Sequence, residues 1–135
     1  MKKIKIFFFI YRLGGGGAAR TLLNIVNYID KSKFDVTLVT LNFDYDYDQF
    51  VHEDVRFVKL RTNRLRSSIF ELAKLLKKEK PDILFSTVLT YNIVAILAKL
   101  LSLTKTKVVV REAALLGGTS KKENFKLVVA GLLYK

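Results

Sequence analysis

Four consecutive glycines, Gly14 to Gly17, follow the apolar run Ile4-Lys5-Ile6-Phe7-Phe8-Phe9-Ile10 and the link Tyr11-Arg12-Leu13. Directly after them, Ala18-Ala19-Arg20 opens an amphipathic run. Glycine takes positive φ at little steric cost and lets a ligand come close to the backbone. A helix start adds unpaired N–H groups and the positive end of a dipole, both of which attract anions. A plain strand-to-helix turn needs only one or two glycines. The surplus argues for a phosphate-binding loop made of Gly15, Gly16, Gly17, Ala18 and Arg20.

Other chemistries find less support. There is no cysteine, so disulfides, thiolate catalysis and cysteine-ligated zinc are excluded, and a reducing compartment suits the chain. The single histidine, His52, cannot anchor a multi-histidine metal site, and its polar surroundings suggest a solvated side chain. Asp44-Tyr45-Asp46-Tyr47-Asp48 has the alternating aspartates of a calcium loop. It lacks the glycine and the distal glutamate which that loop requires, so a solvated loop is expected and no metal site is assigned.

The glycines need elements to position them. Lys3 to Ile10 is apolar on both faces, as in a strand inside a parallel sheet. Leu22, Ile25, Val26 and Ile29 then fall on one helical face. Phe34–Leu41 and Val55–Leu60 read as strands, with a loop over Asn42–Asp54 between them. Ile69, Leu72, Ala73 and Leu76 form a helical stripe that Pro81 ends. Ile83 to Phe85 is a strand ending at Ser86-Thr87. Tyr91–Leu103 is apolar nearly all round, which predicts a buried helix, with Thr90 as its N-cap. Lys107 to Val110 is a fifth strand ending at Arg111-Glu112. A loop containing Gly117-Gly118 leads to a last helical stripe of Phe125, Val128, Val129, Leu132 and Leu133.

This β-α-β-β-α-β-α-β-α order predicts a single α/β domain over residues 1–135. Its sheet would be Rossmann-like and mostly parallel, with helices on both faces. Ligands of such sheets lie beyond the carboxyl ends of the strands. The glycine loop, Ser86-Thr87 and Arg111-Glu112 can converge there on one crevice.

Three kinds of phosphate loop share a strand–glycine–helix junction. A P-loop needs Lys and then Ser or Thr after its last glycine, and here Ala18-Ala19-Arg20 follows. A dinucleotide fingerprint fits weakly as Gly14-x-Gly16-x-x-Ala19, because the acid expected at the end of the second strand arrives late, as Asp44. The third kind serves a nucleotide-sugar transferase.

The ordered series of motifs resembles the N-terminal half of the family 4 (group 1) glycosyltransferases, which have the GT-B fold. Gly16, Gly17, Ala18 and Arg20 match the family's Gly-Gly-Ala-Glu-Arg loop, and Leu23, Asn24 and Ile25 match the helix after it. Phe34–Asn42 resembles its second strand. The likeness continues through Pro81-Asp82-Ile83, Ser86 with Asn92, and Val108-Val109-Val110-Arg111-Glu112. Ala19 stands where the family usually carries Glu, and Thr87 lies where many members carry His. Members are two-domain enzymes whose C-terminal half holds the nucleotide-sugar and a pair of glutamates. The resemblance therefore implies an acceptor-side domain lacking its donor-binding partner: a cut piece, a truncated gene product or one subunit of a split enzyme. Such a domain is expected to be inactive alone.

The resemblance also implies a retaining transfer of a hexose from a nucleotide-sugar, with no essential metal and no cofactor. Glycine-loop N–H groups would stabilise the departing diphosphate, and Ser86, Thr87, Asn92, Arg111 and Glu112 would line the acceptor side. Arg111 can pair with a phosphate, and Glu112 can orient it or accept from a sugar hydroxyl; both can also simply cap a strand end.

Charge suggests where the acceptor lies. The formal net charge is +12, with +2 in residues 1–60 and +10 in residues 61–135. Arg61, Arg64, Arg66, Lys74, Lys77 and Lys78 cluster beside an amphipathic helix. Such clusters favour anionic membranes by roughly 1 kcal/mol per nearby Lys or Arg. The expectation is a cytoplasmic protein attached peripherally to the inner face of a bacterial membrane. There it would act on a lipid-linked acceptor in cell-surface polysaccharide synthesis. A membrane-anchoring subunit without catalysis is one alternative. A nucleic-acid-binding module is another, but no helix-turn-helix, zinc ligands or RNP-like motif accompanies the charge. No segment is long and apolar enough to span a bilayer, and the short run after Met1-Lys2-Lys3 lacks a clear cleavage pattern.

Overall fold

The computed structural model describes residues 2–14 and 17–111. Gly15, Gly16, Glu112, the Gly117-Gly118 loop and the stripe from Phe125 to Leu133 lie outside them. Five strands form one sheet: β1 (Ile4–Phe9), β2 (Phe34–Thr40), β3 (Arg56–Lys59), β4 (Ile83–Thr87) and β5 (Lys107–Arg111). Their order is β3-β2-β1-β4-β5, and every neighbouring pair is parallel. The chain steps outward from β1 to β3, then returns to the other side of β1 for β4 and β5. The strand order thus reverses between β1 and β4.

The central strand needs apolar residues on both faces, which is why Phe7, Phe8 and Phe9 can follow one another. All three are 1% exposed or less. Burying each stabilises the fold by about 1.5–3 kcal/mol. Side chains alternate between faces. Phe7 and Phe9 pack with Leu72 and Leu76 of α2 (Leu65–Glu79) and with Val94, Ala95 and Ala98 of α3 (Leu89–Ser102). Ile6, Phe8 and Ile10 pack with Ala19, Leu22 and Val26 of α1 (Gly17–Tyr28). Helices therefore cover both faces of the sheet. With all three phenylalanines buried, β1 offers no aromatic platform for stacking bases.

Three local expectations change. The aspartate-rich segment is not merely a solvated loop. Asp46–Phe50 forms a 3-10 helix, and Lys59 Nζ bridges Asp44 Oδ1 at 2.6 Å and Asp48 Oδ2 at 2.9 Å. Lys59 ends β3, so these pairs hold the segment against the sheet edge. Second, Thr90 lies inside α3. The cap position belongs to Val88, which has no capping side chain and sits at φ 75°. Third, α3 is not buried all round: Leu100 and Leu101 are each 53% exposed, and Leu103 just beyond is 91% exposed. At the end of α2, Lys80 takes the left-handed conformation and donates its N–H to Leu76 O at 2.7 Å. Pro81 follows that cap.

Candidate functional site

The reversal between β1 and β4 opens a crevice at the carboxyl ends of these strands, the usual ligand position in a doubly wound sheet. A cavity of about 190 Å³ lies there. Ile10, Arg12 and Gly14 line it from the loop after β1, Ala18 and Ala19 from the first turn of α1, and Val88 and Tyr91 from the β4–α3 junction. The first turn of α1 carries no acidic side chain. The leading N–H groups of a helix have no intrahelical partner, which suits them to an anion.

Two glycines of the run, Gly14 and Gly17, lie among the described residues. Neither Gly14 nor Gly17 adopts positive φ. A Cβ at Gly17 would meet nothing within 4 Å, and one at Gly14 would meet only the flexible Arg12 side chain, at 3.4 Å. The open space over Gly17 suits ligand approach more than tight protein packing. Among the described residues that line the crevice, positive φ falls on Val88. A β-branched residue with positive φ costs about 1–3 kcal/mol and concentrates at ligand sites.

Arg12 was not singled out by the sequence. It is exposed and lines the crevice. Its Nη1 donates to Tyr45 Oη at 2.8 Å, and its guanidinium lies 5.1 Å from the Tyr45 ring and 5.8 Å from the Tyr11 ring. No carboxylate pairs with it among the described residues. Tyr11 stacks on Tyr91 at 5.7 Å and leans on Phe43 at 5.2 Å. Burial pushes the Tyr91 phenol above its ordinary pKa, against the opposing pull of Arg12. The result is a cation held on an aromatic wall beside a helix N-terminus. One signal for it was present: Tyr11-Arg12 comes directly after the central strand.

Ser86, Thr87 and Asn92 are all buried. Strand alternation separates the first two: Ser86 shares the α2–α3 face with Leu84, and Thr87 points to the α1 face. Ser86 Oγ, Thr87 Oγ1 and Asn92 Oδ1 have no hydrogen-bond partner among the described residues. Buried polar atoms left unpaired are uncommon and call for an explanation such as a water or ligand group. Asn92 Nδ2 donates to Arg111 O at 3.2 Å, which ties α3 to the end of β5. Arg111 itself is exposed there.

Arg20 lies elsewhere. It lines a second groove, of about 430 Å³, with Asn24, Tyr28, Phe50 and His52 between α1 and the 3-10 helix. Ala18 is thus the one member of the expected loop, among the described residues, that lines the crevice. His52 is exposed and its ring meets the edge of Tyr28 at 5.4 Å. Arg61, Arg64, Arg66, Lys74, Lys77 and Lys78 are all exposed. Arg61, Arg64 and Arg66 lie near the start of α2 and Lys77 and Lys78 near its end, so they spread over about 20 Å of helix. Among the described residues no cluster of three or more His, Asp or Glu could hold a metal ion, and no helix is long and apolar enough to cross a membrane.

Residues 16–134 match the family model described as glycosyl transferase 4-like domain. No curated protein matches the chain by sequence. Among solved structures, the fold is similar to the apo form of the lipopolysaccharide outer core galactosyltransferase WaaB, with a TM-score of 0.64 and 13% sequence identity. That likeness covers 94% of this chain and 42% of the galactosyltransferase chain.

Proposed function

The chain belongs to the glycosyl transferase 4-like domain family, and from that premise we propose that it is the acceptor-side domain of a sugar-nucleotide-dependent transferase. The observation that carries this proposal is the crevice at the strand-order reversal. It combines a helix start, an arginine with no carboxylate partner among the described residues, and an aromatic wall. In the transfer, the anomeric C–O bond to the diphosphate breaks and the diphosphate leaves with the electron pair. The acceptor oxygen bonds the anomeric carbon and gives up its proton, with configuration retained. The N–H groups of α1 and the Arg12 guanidinium suit the charge that builds on the diphosphate. Tyr11 and Tyr91 suit the apolar face of an acceptor sugar, and Ser86, Thr87 and Asn92 each keep a buried oxygen without a partner among the described residues. Positioning the acceptor is the larger task of this half, since alignment of two reactants can lower a barrier by several kcal/mol.

The donor-binding half lies on another domain or subunit, so the isolated chain turns nothing over. The acceptor is a lipid-linked glycan at the inner face of a bacterial membrane, and the basic helix α2 keeps the domain there. The experiment is transfer of radiolabelled sugar from UDP-, GDP- and ADP-sugars into a membrane lipid extract. It is run with this chain alone and with the chain joined to its donor-binding half. Label entering the lipid fraction only with both halves is the expected result. Transfer by this chain alone, or no transfer from any donor with both halves, would overturn the proposal.

A further inference from the structure

The groove of about 430 Å³ beside α1 has no part in the crevice chemistry. Arg20, Asn24 and Tyr28 are all exposed and recur every fourth residue. They form a row about 12 Å long on one side of the helix. Tyr47, Phe50 and His52 make the facing wall. Asn27 fastens the two walls together. It is buried, its Nδ2 donates to Phe50 O at 2.9 Å, and its Oδ1 accepts from the His52 N–H at 3.0 Å. The groove is thus formed before any ligand arrives, which lowers the cost of binding.

Its chemistry is mixed. Tyr28 is 77% exposed and Phe50 54% exposed. The Tyr28 and His52 rings stand at 81° to each other, and those of Tyr47 and Phe50 at 65°. Open aromatic rings set among polar groups mark a binding surface more than a core. None of the lining residues is acidic. Among the described residues no carboxylate pairs with Arg20, and no hydrogen bond engages the Asn24 amide or the Tyr28 and Tyr47 hydroxyls. A pyranose ring has the complementary surface. Its C–H faces stack on aromatic rings, and adjacent hydroxyls pair with the two-pronged amide of Asn or guanidinium of Arg. The fixed charge of Arg20, on a wall without acids, favours a ring bearing an anionic group. One lining arginine is too few for a nucleic-acid backbone, which is held through many phosphates.

We infer that this groove binds an anionic sugar unit of the acceptor glycan away from its reacting end, an inference that rests on the acceptor-side reading above. Arg20 directly follows Ala18 and Ala19, which line the crevice, so the groove begins where the crevice ends. A glycan with its reacting hydroxyl in the crevice passes over the start of α1 and lays an inner unit against Tyr28 and Phe50. Binding there, remote from the reacting centre, helps to place the acceptor. Arg20 then serves the acid of a glycan and not a donor phosphate.

The test is an NMR titration of the untagged full chain, followed at the His52 ring. His52 is the one histidine of the sequence and lines the groove, so its imidazole signals report occupancy there. The probes are trigalacturonate, galactose 6-phosphate, neutral maltotriose, and inorganic phosphate as an anion without a sugar, all at constant pH and ionic strength. At least one anionic sugar is expected to shift the His52 signals saturably, about fivefold or more tighter than maltotriose or inorganic phosphate. The tighter of the two identifies the acid as carboxylate or phosphate. Arg20→Met is expected to weaken that sugar at least about tenfold and leave maltotriose nearly unchanged. Tyr28→Ala is expected to weaken every sugar about three- to tenfold. Both side chains are exposed, so melting curves should match wild type. Absence of a saturable shift with either anionic sugar would overturn the inference. Equal binding of inorganic phosphate would reduce the site to a bare anion contact, and equal binding of maltotriose would remove the charge selection; either overturns it. Self-association of wild type that Tyr28→Ala abolishes, without any sugar shift, would assign the groove to a second copy and equally overturn it. Label transfer by the joined halves with no His52 shift would sink the groove alone. A sugar-induced shift without label transfer would uphold the sugar site while the transfer reading falls.

Discussion

Substituting Arg12 separates ligand binding from stability more cleanly than any other change in the crevice. In the free protein its side chain is exposed, makes one hydrogen bond to the Tyr45 phenol and rests on two aromatic rings. An exposed cation–π contact contributes about 0.5–1 kcal/mol, and a typical net hydrogen bond about 1 kcal/mol. Arg12→Met keeps much of the apolar stem, so the loss in stability should stay near 1 kcal/mol, or about 3–6 °C in Tm. Binding should respond far more. With no carboxylate paired to it among the described residues, the guanidinium suits an anion, and a hydrogen bond to a charged group contributes about 1.5–3 kcal/mol. That corresponds to roughly 10- to 150-fold in affinity. The assay is calorimetric titration of pyrophosphate into wild type, Arg12→Met and Arg12→Lys at low salt, repeated at higher salt. Arg12→Lys should fall between the other two, because it keeps the charge and loses the planar fork. Pyrophosphate binding by Arg12→Met within twofold of wild type would refute the crevice as an Arg12-dependent anion site. A fall in Tm above 10 °C would show instead that Arg12 is a structural brace.

Two further predictions concern the frame around the site. Burial pushes the Glu79 carboxyl up, but Arg56 and Lys5 outweigh it and leave its pKa below the ordinary value. Its stabilisation is thus full above the unfolded carboxylate pKa and is lost as pH falls through the lower folded value. Glu79→Gln should cost about 1–2 kcal/mol at neutral pH and flatten the acid limb of a Tm-against-pH curve; an unchanged limb would exclude this role. Asn27, 8% exposed, donates to Phe50 O at 2.9 Å and accepts from the His52 N–H at 3.0 Å, pinning the 3-10 segment to α1. Asn27→Ala should cost about 1–3 kcal/mol and speed amide hydrogen exchange at His52, and unchanged exchange there would show that the segment is held by other contacts.

Much of this was legible in the order of residue types. The period-2 and period-3.6 patterns are local, so the apolar runs of β1 and β2 and the stripe Leu72-Ala73-Leu76 gave strands and helices near their observed bounds. Their alternation gave the parallel sheet. The glycine run after the first strand and the ordered motifs to Arg111 gave the family. Tertiary packing decided what depends on which elements become neighbours. Burial cannot be read from hydrophobicity alone, because an apolar helix such as α3 is covered only where a partner lies against it, and its leucine tip has none among the described residues. Charge partners cannot be read from spacing either. Asp44 and Asp48 found Lys59 across a sheet edge, while Arg12 met aromatic rings and, among the described residues, no acid. The strained φ at Val88 and the opposed directions of Ser86 and Thr87 likewise follow from how β4 enters the sheet. Sequence by itself determined the elements, because these are set by short-range periodicity, and the family, because its motifs are read in order along the chain. The occupied, open and unpaired positions around the crevice were decided by tertiary structure, because residues far apart in the chain meet only once the sheet has formed.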